Sequence, residues 1–183
     1  MKATPLGSAG VLLIEPSVFG DARGFFQETW NAPVYRELGI EQEVVQSNLS
    51  KSQKGVLRGL HFQEPFPQGK LVMCPLGAVF DVAVDIRVGS PTFGQWWGAE
   101  LTEENHHQLW VPPGFAHGFE VLSDTALFSY FCTDRYHPET EGCVLWSDPE
   151  IGIPWRTAEP SLSAKDQAGI LLRDFSPGRL PVY

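Results

Sequence analysis

Apolar and polar residues alternate with a period of two along much of this chain. In the clearest run, 78–87, one row is apolar and the other mostly polar: Phe80, Val82, Val84 and Ile86 against Asp81, Ala83, Asp85 and Arg87. Successive side chains of a β-strand point to opposite faces, so this run predicts a strand with one apolar face. Similar runs, mostly separated by Gly or Pro, predict strands over 11–15, 25–30, 43–50, 56–62, 70–75, 95–101, 108–111, 119–122, 126–133 and 144–146.

Signals for helices are few. Asn31, Pro33 and Gly39 predict one short helix, because a capping residue, an early proline and a terminal glycine mark its two ends. Ser163 and Asp166 have the spacing of a capping box, which predicts the start of a second short helix. The sequence has no Gly-rich nucleotide loop of the Rossmann or P-loop type. We therefore expect a single domain over 1–183 that is mainly β, an antiparallel sandwich or barrel with a few short helices.

The composition supports a folded domain and argues against several classes of partner. Of 183 residues, 43% are hydrophobic and 19% are charged, which is typical of globular proteins. Thirteen Lys and Arg against 22 Asp and Glu give a net charge of −9, which argues against nucleic acids and anionic membranes as partners. The same charge disfavours an anionic small ligand unless basic side chains gather locally.

Nothing in the sequence indicates export or a membrane span. The longest stretch without Asp, Glu, Lys or Arg, 105–119, holds three His and two Pro, and Pro5 and Gly7 interrupt any signal-like segment near the start. The three cysteines form no CxxC pair, which argues against a zinc site or a disulfide framework. We expect a protein of the reducing cytoplasm.

The run 55–63 is the first candidate for chemistry. Alternation predicts Arg58 on one face and His61 on the other, with Gly59 leaving open space beside His61 for a ligand. A half-buried histidine titrates near neutral pH, so His61 is a candidate proton carrier. The alternative is a core histidine whose nitrogens are satisfied by neighbours.

Three further side chains have both a functional and a purely structural interpretation. Lys70 follows a glycine and could hold an anion inside the barrel, or it could be a solvated lysine on an edge strand. Tyr130 shares its predicted strand face with Phe128 and Cys132, where its hydroxyl could donate a proton or simply be a bonded core hydroxyl. Asp166 could orient a histidine or serve only as the last residue of its capping box.

The spacing of Pro112, Gly114 and His117 resembles the second motif of the cupin superfamily, whose members are small jelly-roll β-barrels. Metal-dependent cupins add a His-x-His pair and a Glu from the first motif, and here that region centres on His61 without a second histidine. A metal centre usually needs three or four ligands, so we expect none in this chain.

Taken together, the motifs resemble the dTDP-4-dehydrorhamnose 3,5-epimerase family of nucleotide-sugar enzymes. The matching segments run through almost the whole chain, in the same order as in the family. They are 19–28, 46–48, 56–63, 68–72, 79–87, 89–96, 114–119 and 162–166. The resemblance implies a cupin-like jelly-roll fold and an isomerase that acts on a dTDP-4-keto-6-deoxyhexose without a cofactor or metal.

The resemblance also implies roles for individual residues. His61 would be the base that removes a proton beside the C4 ketone, with Asp166 orienting it, Lys70 stabilising the enolate and Tyr130 donating a proton. The substrate-binding positions would be Arg23, Phe26, Glu28, Gln46, Ser47, Asn48, Arg58, His117, Tyr136, Glu141 and Lys165. A homodimer is implied, in which Arg23, Phe26 and Glu28 serve the partner's site. Two alternatives stay open: an epimerase acting at a single carbon, and a non-catalytic cupin that binds a sugar nucleotide.

Overall fold

The computed structural model describes residues 1–176 and 178–183, which form thirteen β-strands, two short α-helices and two single turns of 3-10 helix. The strands are β1 (Lys2–Pro5), β2 (Leu12–Glu15), β3 (Val18–Asp21), β4 (Gly24–Gln27), β5 (Gln46–Gln53), β6 (Leu57–Gln63), β7 (Lys70–Leu76), β8 (Ala78–Asp85), β9 (Trp96–Thr102), β10 (Gln108–Val111), β11 (Phe115–Val121), β12 (Thr125–Cys132) and β13 (Glu141–Cys143). The helices are α1 (Ala32–Glu37) and α2 (Ala164–Gln167), and the 3-10 turns are Pro138–Thr140 and Leu172–Asp174. The prediction of a mainly β protein is confirmed.

Two antiparallel sheets pack face to face. The order of the first is β1-β2-β10-β7-β12-β5 and the order of the second is β13-β6-β11-β8-β9. The main core lies between them, where Val72 and Phe128 of the six-stranded sheet belong to the same cluster as Val79 and Phe119 of the five-stranded sheet. Burial of apolar side chains from both inner faces is what holds such a sandwich together.

The segment of the chain after β13 covers the outer face of the five-stranded sheet. Phe80 and Val82 of β8 pack there against Ile151 and Leu172, and none of these side chains is more than 7% exposed. The two rows predicted for 78–87 are therefore confirmed, but both are buried, because the row with Asp81 faces the core and the apolar row faces this covering segment. The covering segment also brings α2 to β6.

Several predicted boundaries differ from the observed ones. The predicted strand 144–146 is wrong, since β13 lies just before it and Val144 makes only an isolated bridge to Ile170. Strands β1 and β3 were not predicted; each has four residues, too few for alternation to be distinctive. Asn31 does precede α1, but its side chain donates to Glu28 Oε2 at 3.0 Å instead of capping the helix.

The hairpin of β3 and β4 forms a separate two-stranded sheet with an apolar surface. Phe19, Phe25 and Phe26 are 66%, 60% and 68% exposed. Within the described part of the chain, neither helix is long and apolar enough to cross a bilayer.

Candidate active site

A cavity of about 340 Å³ lies between the two sheets, and both of them contribute to its lining. The six-stranded wall consists of Gln46, Asn48, Ser50, Lys70, Phe128 and Tyr130, and the five-stranded wall consists of Arg58, His61, Phe62, Gln63, His117, Phe119 and Glu141. Gln68, Tyr136 and Lys165 complete the lining from segments outside the sheets. Most of the residues predicted for the site are therefore brought together.

The shortest contact in the five-stranded wall joins a histidine to a carboxylate 105 residues away. His61 Nε2 lies 2.6 Å from Oδ1 of Asp166, whose side chain is 3% exposed, while that of His61 is 23% exposed. Asp166 reaches this position because Ser163 opens α2 with the predicted capping box, which is confirmed. The contact leaves Nδ1 as the ring nitrogen of His61 that can accept a proton from a ligand.

The pKa values of this pair favour a neutral imidazole beside an ionised carboxylate. Burial lowers the pKa of His61 below its ordinary value, with the hydrogen bond to Asp166 opposing that effect. Burial alone would raise the pKa of Asp166, but hydrogen bonds from His61, Ser163 and the Gly59 N–H outweigh it and lower the pKa to about 2. At neutral pH the imidazole is therefore ready to act as a base.

A β-bulge in β6 brings Arg58 and His61 into the same cavity. Opposite β11, His61 pairs with His117 and Arg58 pairs with Phe119, so three steps along β6 match two steps along β11. The extra residue breaks the alternation, and the prediction that Arg58 and His61 face opposite ways is wrong. The predicted open space at Gly59 is also wrong, because a Cβ there would lie 2.6 Å from the backbone of β11.

Lys70 and Tyr130 belong to adjacent interior strands of the six-stranded sheet. Since β7 is hydrogen-bonded on both sides, by β10 and β12, the alternative of a lysine on an edge strand is wrong. Burial lowers the pKa of Lys70, an effect that the nearby Cys132 and Glu141 oppose, and burial raises the pKa of Tyr130. The phenol of Tyr130 thus holds its proton at neutral pH, as a proton donor must.

A second histidine–aspartate pair lies beside the first. His117 Nε2 is 2.9 Å from Oδ2 of Asp81, and their side chains are 8% and 0% exposed. Arg58 is fixed next to them, because its Nε and Nη2 both donate to Ser52 Oγ at 3.1 Å. Arg58 is thus an oriented donor in the lining of the cavity, and Asp81 fixes the orientation of the His117 ring beside it.

Hydrogen bonds join the residues at the mouth of the cavity. Glu141 accepts from Lys165 Nζ at 2.7 Å and from the Tyr136 hydroxyl at 2.9 Å. Gln46 Oε1 accepts from the Tyr136 N–H at 2.9 Å, and Gln46 Nε2 donates to Asn48 Oδ1 at 3.0 Å. The aromatic ring of Tyr136 is therefore held at the rim, where a planar ligand group could stack on it.

Four residues predicted to bind substrate lie outside this cavity. Ser47 is on the exposed face of β5, since it alternates with Gln46 and Asn48. Arg23 and Phe26 belong to the β3–β4 hairpin, and Glu28 follows it.

Other lining residues were missed by the sequence interpretation. Ser50 could have been found, because it continues the alternation of Gln46 and Asn48 along β5. Gln63 gave no such signal; its amide donates to the carbonyls of Phe66 and Arg135, a contact that only the folded chain brings about.

The described residues contain one cluster with potential metal ligands, made of His61, Cys143 and Asp166, whose donor atoms lie within 4.8 Å of one another. Two of these donors are already hydrogen-bonded to each other, and burial raises the pKa of the Cys143 thiol to about 12, which disfavours the thiolate that metals bind. The absence of a resident metal stays a prediction.

Comparisons with known proteins agree with one another. The family model described as dTDP-4-dehydrorhamnose 3,5-epimerase matches residues 5–174. The enzyme of that name from Pseudomonas aeruginosa is 54% identical over 176 residues, covering 95% of this chain and 97% of that protein. The one from Salmonella typhimurium is 58% identical over 165 residues, covering 88% and 90%.

A solved structure and a more distant relative add detail. The dTDP-6-deoxy-D-glucose-3,5-epimerase of Legionella pneumophila, crystallised in complex with dTDP-4-keto-L-rhamnose, superimposes with a TM-score of 0.97 at 52% identity, covering 100% of this chain and 98% of that one. A dTDP-4-dehydrorhamnose 3-epimerase from Streptomyces niveus is 42% identical over 186 residues, covering 100% of this chain and 90% of that protein.

Proposed function

The chain belongs to the dTDP-4-dehydrorhamnose 3,5-epimerase family and is a cupin-type isomerase; from this we propose that it inverts C3 and C5 of dTDP-4-dehydro-6-deoxy-D-glucose, giving dTDP-4-dehydro-L-rhamnose. The observation that carries the proposal is the arrangement of the two walls, with a histidine base in one wall and a tyrosine acid in the other. Inversion of a carbon requires removal of a proton from one face of the sugar and delivery of a proton to the other.

His61 takes the proton from the carbon next to the C4 ketone. Such a proton is acidic because the electron pair left on carbon delocalises into the carbonyl as an enolate. The neutral imidazole accepts the proton, and Asp166 stabilises the imidazolium that forms. Lys70, in the opposite wall, donates to the enolate oxygen as negative charge develops there.

Tyr130 returns a proton to the opposite face of the same carbon. The phenol of Tyr130 lies in the six-stranded wall beside Lys70. Its raised pKa keeps the phenol protonated until it donates its proton to the carbanion. Since C3 and C5 flank the same ketone, the same base, acid and lysine can serve both carbons once the ring shifts within the cavity.

The nucleotide is proposed to bind along the same cavity towards its mouth. Arg58, Lys70 and Lys165 line it together with one carboxylate, that of Glu141. A locally positive cavity in a protein of net charge −9 suits a diphosphate. Tyr136, held at the rim and 52% exposed, offers its ring for stacking on the thymine.

The exposed hairpin supports a homodimer in which each site is completed by the partner. Its three exposed phenylalanines are a surface that association would bury. Arg23 in the same hairpin pairs with Asp21 and does not line the cavity of its own chain. We expect Arg23→Ala and His61→Asn each to be inactive, and mixing the two variants under conditions in which subunits exchange tests the shared site. If sites are shared, half of the dimers gain one intact site and about a quarter of wild-type activity returns. No recovery would contradict sharing.

A cytoplasmic location is supported by the cysteines. Cys74, Cys132 and Cys143 are all free in the described part of the chain, as expected for a protein of a reducing compartment.

The test of the proposed reaction is proton NMR in D2O with dTDP-4-keto-6-deoxyglucose as substrate. We expect deuterium to enter at both C3 and C5 with inversion of both centres. Because a 3-epimerase shares 42% identity with this chain, exchange at C3 alone is the outcome that would replace double inversion by single inversion. Binding of dTDP without exchange at either carbon would instead support a non-catalytic sugar-nucleotide-binding protein.

A further inference from the structure

Asp166 belongs to two hydrogen-bond systems at once. As the third residue of α2 it closes the capping box, where Ser163 N donates to its Oδ2 at 3.3 Å and its own N–H donates to Ser163 Oγ at 3.2 Å. As the partner of His61, its Oδ1 lies 2.6 Å from the imidazole and also accepts from the Gly59 N–H at 3.2 Å. The same carboxylate thus starts a helix and holds the base.

Ser163 makes one bond that a capping box does not require. Its hydroxyl donates directly to Asp166 Oδ2 at 2.6 Å, a length typical of a strong bond from a hydroxyl to a carboxylate. The hydroxyl therefore makes two hydrogen bonds to Asp166, donating to its carboxylate and accepting from its backbone N–H. This double contact restricts rotation of the carboxylate about the Cβ–Cγ bond.

We propose that Ser163 is a positioning residue of the epimerase, whose hydroxyl fixes the Asp166 carboxylate in the orientation that holds His61 for proton abstraction. The inference rests on the proposed roles of His61 and Asp166. Ser163 is not among the described residues that line the cavity, so it acts on the substrate only through the other two.

The hydroxyl reaches the carboxylate from the solvent side, since Ser163 is exposed while Asp166 is only 2% exposed. Water can take the place of a removed hydroxyl, but a water molecule is not fixed to α2 and does not hold Oδ2 in one direction. The donor that the chain still offers to that oxygen is then the longer bond from Ser163 N. A carboxylate held at one oxygen can turn away from His61, and catalysis suffers while the substrate still binds.

Lys165 gives an internal measure of whether α2 itself has been damaged. It lies in the same four-residue helix and bonds Glu141 at the mouth of the cavity. Fraying of α2 would displace Lys165 and weaken dTDP binding, whereas loss of the hydroxyl alone would leave dTDP binding intact.

The experiment compares Ser163→Ala, Ser163→Gly and Ser163→Thr by kcat, KM and the dissociation constant of dTDP. Glycine is nearly as good an N-cap as serine and alanine is a poor one, but both lack the hydroxyl; threonine keeps both the cap and the donor. We expect Ala and Gly to lower kcat by a similar factor, about 10- to 100-fold, with dTDP binding unchanged and kcat restored in Thr.

Three outcomes would overturn the proposal. The first is a kcat of Ser163→Ala equal to that of wild type. The second is a lowered kcat in Ser163→Ala together with a wild-type kcat in Ser163→Gly. The third is a weakening of dTDP binding by the same factor as the fall in kcat. The second and third would make Ser163 only the start of α2. Failure of the proposed function is separate, since it would appear as undiminished kcat in His61→Asn.

Discussion

The two walls of the cavity differ in how their polar groups are held. In the five-stranded wall each histidine is bonded to a buried carboxylate, His61 to Asp166 at 2.6 Å and His117 to Asp81 at 2.9 Å. Both contacts are made between side chains of the protein itself, so the fold, and not the substrate, orients the base. Preorganised groups of this kind cost no rearrangement at the moment of reaction.

Two donors of the six-stranded wall are not bonded to other side chains. Among residues 1–176 and 178–183, neither Lys70 Nζ nor the Tyr130 hydroxyl makes a hydrogen bond, and both residues are partly buried in the lining of the cavity. Each can therefore donate to a substrate oxygen or carbanion without first breaking a bond within the protein. One wall is thus complete on its own, whereas the other is completed by the substrate.

The largest expected effect comes from replacing His61, the proton acceptor of the five-stranded wall. His61→Asn keeps a polar side chain of similar shape but cannot accept the proton, so we expect kcat to fall at least about 100-fold. The dissociation constant of dTDP, measured by calorimetry, is expected to stay near the wild-type value. His107→Asn, outside the cavity, is the matched control and is expected to be fully active. Equal kcat in the two variants would remove His61 from the mechanism.

The next effect comes from removing a donor in the other wall. Lys70→Met keeps the length of the side chain but cannot donate to the enolate, and loss of one such donor costs about 100-fold in kcat. The thermal midpoint is expected to be no lower than that of wild type, since burial already disfavours the charge of Lys70, as its lowered pKa indicates, and methionine carries no charge. The control is Lys51→Met on the exposed side of β5. A fall in the thermal midpoint together with unchanged kcat would assign Lys70 a structural role.

The smallest effect is a displacement of the pH profile. Only the neutral imidazole accepts a proton, so kcat/KM rises with pH through the pKa of His61 and then levels off. Burial lowers that pKa below the ordinary 6.5, and the acidic limb is therefore expected below pH 6.5. Thermal melts at the same pH values separate this limb from acid unfolding. A limb centred above 6.5 would mean that the carboxylate of Asp166, and not burial, dominates the environment of His61.

The sequence was informative wherever the local pattern decided the structure. Alternation along β8 and the capping-box spacing of Ser163 and Asp166 are local properties, and both were confirmed. The failures arose where one strand depends on its neighbour. The bulge in β6 follows from its pairing with β11, because the backbone of β11 fills the space beside Gly59, and no pattern within 55–63 contains that information.

The candidate site was predicted through the family resemblance more than through residue patterns. Taken singly, His61, Lys70 and Tyr130 allowed a structural interpretation as well as a functional one, and only the fold brings them to one cavity. The contact between His61 and Asp166 spans 105 residues, so spacing could not have predicted its geometry. The sequence did not predict the hydrogen bond from the Ser163 hydroxyl to the Asp166 carboxylate, because a capping box alone accounts for a serine at that position.

The most direct test of a base in one wall and an acid in the other is proton NMR in D2O with the variant Tyr130→Phe. The side chain of His61 is 23% exposed, so the proton it removes can exchange with solvent before it is returned. We therefore expect deuterium to enter beside the ketone with the configuration retained, while inversion falls at least about 100-fold. His61→Asn is expected to show neither exchange nor inversion. Inversion at the wild-type rate in Tyr130→Phe, or loss of exchange together with inversion, would contradict a base in one wall and an acid in the other.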